Sequence, residues 1–255
     1  MRLLWRGPAG SLTPLHALLG GAMPISVPHH APDPPPPPPP DPTAPYVIGS
    51  QVTALESAAS HALALPTAQA GDLLLAMYNG AAAASYTLGV PTGFTGLYDV
   101  TNGNLRGRAA ARIATGGEGA TASVTMGGDA QRFAGVVLAI RGWDEAAGIA
   151  GAITVGTHAT GSSTAPNPPS ASPAWGASPP TLVVALAHSA AGGSITYPSG
   201  YENGASAYTG VFNNFHARAS AATREIAAAS EDPAAFAIGN SVAWIARAIA
   251  IKGLA

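Results

Sequence analysis

The 255-residue chain contains no cysteine. That excludes disulfides, thiolate zinc sites and cysteine nucleophiles at once. Charge is nearly as scarce: Asp, Glu, Lys and Arg make up 9% of the residues, against about 25% in an average soluble domain. A surface so weakly charged suits a chain that buries area in an assembly or works outside the cell. The formal net charge of −2 offers no electrostatic footprint for nucleic acid. Apolar residues reach 47%, yet alanine and glycine interrupt every run before the ~20 apolar residues of a membrane span. The chain lacks a Gly-x-Ser-x-Gly elbow, a phosphate-binding Walker loop and a zinc motif. No catalytic, cofactor-binding or metal-ligating residues are therefore expected.

What the chain does have is a repeat. Leu73-Leu74-Leu75-Ala76 matches Leu182-Val183-Val184-Ala185, and Pro91-Thr92-Gly93-Phe94 matches Pro198-Ser199-Gly200-Tyr201. Arg106-Gly107-Arg108-Ala109 matches His216-Ala217-Arg218-Ala219, and the close Ile140-Arg141-Gly142 matches Ile251-Lys252-Gly253. The offset runs from 107 (Pro91 to Pro198) to 111 (Gly142 to Gly253). A period that long is no solenoid. It predicts two similar sets of strands packed as one sandwich, with halves over about 47–142 and 151–253.

Residues 1–28 are interrupted by Gly7, Pro8, Gly10, Pro14, Gly20 and Gly21, which does not read as the apolar core of a signal peptide. They read instead as an anchoring peptide, with Leu3, Leu4, Trp5, Leu15, Leu18 and Leu19 as its apolar contacts. Fourteen of the first 45 residues are proline, including every position from 34 to 40. Proline fixes φ and lacks an amide proton, so such a run takes the polyproline II form. Residues 29–45 then make a semi-rigid stalk, about 40 Å long over 32–45 at ~3.1 Å per residue. From residue 46 onward, short apolar runs between Gly, Ser, Asn and Pro turns predict an all-β body. The strands are expected near 47–55, 61–65, 73–79, 95–100, 105–114, 120–126, 133–141, 151–157, 181–188, 195–197, 207–212, 215–224, 234–238 and 242–252. A loop is expected over 157–180. The strands at 133–141 and 242–252 are apolar on both faces, as in central strands or strands covered by a neighbouring subunit.

The chemistry-bearing residues are thinly spread. Of seven histidines only His29-His30 cluster, and neighbours in an extended chain point apart, so copies would have to converge on a shared axis to hold an ion. Most carboxylates fall at turns. Asp99 and Glu202 are the acids a β-sandwich hydrolase would need, without the flanking pattern of a glycosidase. Arg106, Arg108 and Arg112 share one face of the strand at 105–114. They read first as a solvated face and secondly, with Trp175 and Tyr201, as contacts for a host-surface glycan.

The order Ala70-Gly71-Asp72-Leu73-Leu74-Leu75, Pro91-Thr92-Gly93-Phe94-Thr95, Arg112-Ile113-Ala114-Thr115-Gly116 and Phe133-Ala134-Gly135 through Arg141-Gly142 resembles the jelly-roll modules of tailed-bacteriophage virion proteins, tail-fibre and tail-tip appendages above all. Phe94 stands where these modules carry tryptophan, and the second half lacks the Gly-Asp pair before its strand. The resemblance covers about residues 47–253. It implies a structural protein without chemistry: a homotrimeric appendage on the outside of the virion, docked on other virion proteins by its N-terminal arm and touching the host surface. A head fibre or capsid decoration protein fits the same plan. A secreted carbohydrate-binding module is the reading from a different class, and it requires a ligand and a secretion signal.

Overall fold

The central strands carry the fold because they are apolar in both alternating registers. In a strand, successive side chains point to opposite faces. Leu73, Leu75 and Met77 therefore face one way, and Leu74, Ala76 and Tyr78 the other, all fully buried. Such a strand needs a packed layer on each side. The computed structural model describes residues 44–254, apart from 56–57, 83–85, 129–131, 176–178, 191 and 211–215. The predicted anchor and most of the stalk lie outside the described residues.

The first half supplies eight strands: β1 (Tyr46–Leu55), β2 (Ser60–Ala64), β3 (Leu73–Ala81), β4 (Thr87–Leu88), β5 (Thr95–Asn102), β6 (Leu105–Ile113), β7 (Thr121–Gly127) and β8 (Arg132–Arg141). Five make an antiparallel sheet in the order β1-β8-β3-β6-β5, and three make a smaller one, β2-β7-β4. A joint follows, with a 3-10 turn at Glu145–Ala147 and a single helical turn, α1 (Gly148–Ala152). The second half supplies β9 (Ile153–Ser163), β10 (Thr181–Ser189), β11 (Ile195–Thr196), β12 (Glu202–Tyr208), β13 (Arg218–Ile226), β14 (Ala237–Ile238) and β15 (Val242–Lys252). Its large sheet runs β12-β13-β10-β15-β9, and β11 pairs with β14. Replacing β9, β15, β10, β13 and β12 by β1, β8, β3, β6 and β5 reproduces the first sheet. The small pairs β11-β14 and β4-β7 also correspond. Residues 164–171 take the place of β2, donating or accepting main-chain hydrogen bonds with Phe236, Ile238 and Glu231. The order of eight strands over two sheets in the first half is that of a jelly roll, and the second half repeats it with seven strands and the segment 164–171.

The two five-stranded sheets pack inner face to inner face. β1 lies against β12 as β9 lies against β5, and β8 lies against β13 as β15 lies against β6. That reciprocity is an internal twofold, the pattern of an isologous interface within one chain. The shared core holds Leu73, Leu75, Leu138 and Ile140 from one half and Leu182, Val184, Leu186 and Ile249 from the other. Each buried aliphatic side chain contributes about 1.5–3 kcal/mol relative to exposure. Ala109, Ala111, Ala217, Ala219 and Ala221 line the neighbouring strands of this core; their small side chains let the sheets approach. The outer face of the first sheet packs on β2-β7-β4 through Leu63, Tyr78, Val124 and Phe133. The outer face of the second packs on Ala171 and Phe236.

The two-faced apolar strands β8 and β15 are thus covered inside the chain. They give no reason to expect a neighbouring subunit. Several elements also differ from expectation. β4 is not among the expected strands, and the strand expected at 207–212 lies at Glu202–Tyr208, where β12 pairs with β13. The strand expected from residue 151 begins at Ile153, because Asp144 caps the preceding 3-10 turn, its Oδ1 accepting from Ala147 N at 3.2 Å, and an alanine–glycine run continues into α1. The loop expected over 157–180 is strand as far as Ser163, since β9 pairs with β15 along that length. No helix among the described residues is long and apolar enough to cross a membrane.

Candidate binding surface

The residues that punctuate each half are tied to one another. Asp72, just ahead of β3, is buried and accepts two bonds from Arg141 at the end of β8, at 2.8 and 2.9 Å. Burial alone would raise its carboxyl, but the bonds from Arg141 and the Gln69 amide hold it below the usual range. Arg112 pairs with Glu118 at 3.3 Å, and Glu118 also accepts from the Thr115 amide and hydroxyl. The second half repeats this clasp: Arg224 meets Glu231 at 2.8 Å. It cannot repeat the first, having no acid ahead of β10. Lys252, which matches Arg141, binds Asp144 of the joint at 2.8 Å instead.

The expected arginine stripe exists as a face but not as a free one. The Asp99 carboxylate accepts from Arg106 at 2.7 and 2.6 Å and lies 3.5 Å from Arg108. These guanidinium groups hold Asp99 below the usual carboxylate range, the Arg106 hydrogen bond contributing most. Arg106 also donates to the Tyr86 carbonyl at 2.7 Å, and Arg108 to that of Leu88. Tyr201 packs on the outer core of the second half and donates to Glu231 at 3.3 Å. Trp175 is half-buried in the segment after Ala171. The stripe and Tyr201 therefore sit on opposite outer faces of the sandwich and form no single patch. Leu3, Leu4, Trp5, Leu15, Leu18 and Leu19 lie outside the described residues.

Sequence reasoning missed the two seams where the sheets meet edge over edge. The β5/β9 seam is closed by polar ties. The Tyr98 hydroxyl and His188 Nε2 share a hydrogen bond of 2.7 Å. The Arg247 guanidinium lies 4.3 Å over the Tyr98 ring and donates to His158 Nδ1 at 3.0 Å. Asn102 donates to the carbonyls of Gly161 and Trp244, both at 3.0 Å. Full burial, then the charge of Arg247, pushes His188 down to about 3, so the ring is neutral. Burial likewise pushes the Tyr98 phenol up. Gly107 makes room for the ring, since a Cβ there would overlap it. At the matching position of the first sheet, the Asn79 amide, turned to suit its neighbours, donates to the carbonyls of Arg218 and Ala134 at 3.2 Å.

The β1/β12 seam borders two open clefts. One, of about 300 Å³, lies beside β12 within the second half and is lined by Leu182, Gly200, Glu202, Asn203, Thr223, Arg224 and Glu225. A second, of about 250 Å³, shares Asn203 and runs along residues 47–50 of β1. Both seam strands are bulged, β1 between Val47 and Gly49 and β12 between Glu202 and Ala205. Within the second bulge Asn203 has φ 52°, the one left-handed non-glycine residue described. Asparagine tolerates that region better than most residues, and its amide donates to Thr223 Oγ1 at 3.0 Å. The cleft offers two carboxylates, an amide and a guanidinium to a polar ligand.

No family model, curated protein or solved structure matches this chain. Among the described residues, no group of three or more His, Asp or Glu side chains is placed to hold a metal ion.

Proposed function

We propose that this chain is a structural protein of a tailed phage or phage-like particle, a tail-fibre or tail-tip appendage whose body contacts the host surface. One observation carries the reading: the residues behind the resemblance bind one another across the fold. Asp72 ahead of β3 joins Arg141 at the end of β8, and the Arg112 guanidinium lies against Gly93 of the Pro91-Thr92-Gly93-Phe94 turn. Motif residues that meet in space support a shared design better than a shared composition does. In this reading residues 1–28 dock on another virion protein, 29–45 space the body from it, and 46–255 face outward. Three copies is the number the resemblance implies. A head fibre or decoration protein keeps the same parts at another place on the particle.

The test is compositional. Tailed particles purified from the producing cells are digested and analysed by mass spectrometry, and labelled with antibody against the full chain. Peptides in a constant ratio to the major tail proteins, with label at the tail, are expected. Particles free of the chain would overturn the reading, and label on the head would move it to a head fibre. The polar cleft at Glu202, Asn203, Arg224 and Glu225 favours a second reading, a carbohydrate-binding module. It calls for a glycan that raises the Tm of the full chain, an effect lost in Asn203→Ala.

A further inference from the structure

Four strands end the two large sheets: β1 and β5 on the first, β9 and β12 on the second. An edge strand presents a row of unpaired N–H and C=O groups. Proteins that remain single blunt it with charge, proline, bulges or cover. β5 carries Asp99 with its two arginine partners and a bulge between Gly96 and Tyr98. β12 carries Glu202 and the bulge at Asn203. Over β9 the returning chain passes close enough that a Cβ on Gly156 would meet the Ser170 carbonyl at 3.7 Å.

β1 is different. From residue 49 to 55 it has no charge, no proline and no bulge. Among the described residues, no main-chain hydrogen bond reaches its outer edge. Of the three exposed large apolar side chains described, two belong to it: Val52 at 47% and Tyr46 at 44%.

We propose that the outer edge of β1 joins two copies of this chain, residues 49–55 of one pairing antiparallel with the same residues of the other across a twofold axis. A second copy fits because the segment is uncharged. Facing itself, it sets no like charges opposite each other. Antiparallel self-pairing is isologous and closes at two. A register centred on Val52 puts the two Val52 side chains together, each Gln51 opposite a Thr53 and each Ser50 opposite an Ala54. The two five-stranded sheets become one of ten, held by about six new main-chain hydrogen bonds. The inference does not depend on the virion reading, and its copy number is two rather than the three implied by the resemblance.

The experiment is sedimentation velocity on the full chain over a concentration series, with hydrogen exchange on the same samples. The native chain is expected at the mass of two copies. Val52→Lys is expected at half that mass with an unchanged far-UV spectrum, and the control Thr160→Lys on β9 is expected to keep the paired mass. Should Val52→Lys fail to fold, exchange on the native chain decides, with amides in 49–55 protected at high and not at low concentration. A native chain that stays single at every concentration overturns the proposal. So does a mass of three copies, or a paired mass that Val52→Lys leaves intact.

Discussion

The two seams of the body are related by the same internal twofold, yet one is sealed by several polar side chains while the other keeps a single tie among the described residues and borders open clefts. At β5/β9 the Tyr98–His188 bond, the Arg247 guanidinium over the Tyr98 ring and the Asn102 amide cross between the sheets. At β1/β12 the positions matching Arg247 and His158 hold Val136 and Val52. There Asn79 ties across to the Arg218 carbonyl, and a polar cleft runs along residues 47–50 and Asn203. A duplicated fold does not need both seams to hold. Once a common apolar core joins the halves, one seam can carry buried polar ties while the other does nearly without them. The sealed seam should therefore respond to substitution and pH, and the other should not.

The largest effect tests what the seams share. Leu138→Ala removes a fully buried side chain of the common core, and a loss of about 2–5 kcal/mol is expected from urea unfolding. Because both halves line that core, the whole chain should lose stability together.

Acid comes next and acts on the sealed seam. His188 takes a proton only near pH 3 when folded, against an ordinary value of 6.5. Between those values the unfolded chain binds more protons, so stability is full above about pH 6.5 and falls as pH drops toward 3. His61, lowered mainly by burial, has the same sign. Asp72, Asp99, Glu118 and Asp144, all held below their ordinary values, lose their contribution in a lower window, as pH falls through the carboxylate range. A drop of about 2 kcal/mol from His188 is expected between pH 6.5 and 4.5. His188→Asn should flatten the unfolding free energy over that interval, and an unchanged slope would remove His188 as its cause.

The smallest effects set the seams side by side. Asn102→Ala leaves the carbonyls of Gly161 and Trp244 without their donor and should cost about 1–2 kcal/mol. Asn203→Gly relieves a positive φ beside the β1/β12 seam and should stay within about 0.5 kcal/mol of the native chain. Equal losses at the two sites, measured by thermal unfolding at neutral pH, would erase the distinction.

Much of this was legible in the chain. The repeat named the pairs of strands, and the alternation at 105–114 placed Leu105, Ala109 and Ala111 inside and the arginines on the other face. The outer layers were harder to read, because their strands are short and rich in serine and threonine. Even so, the strands expected at 61–65, 120–126, 195–197 and 234–238 are present; β4, with two residues, is too short for any period. The partners of the stripe were hidden for a related reason. Asp99 opposes Arg108 only once the turn at Gly103-Asn104 sets the register, which pairs Asn102 with Leu105. Counting back from that turn would have found it. The seams leave no such mark, since Tyr98 and His188 stand 90 residues apart and meet only after two sheets stack.

The most direct measurement is calorimetry of the full chain at pH 7. Two jelly rolls around one inner core should melt in a single transition, with equal calorimetric and van't Hoff enthalpies. Two separable transitions, one per half, would contradict the shared core and the twofold built on it.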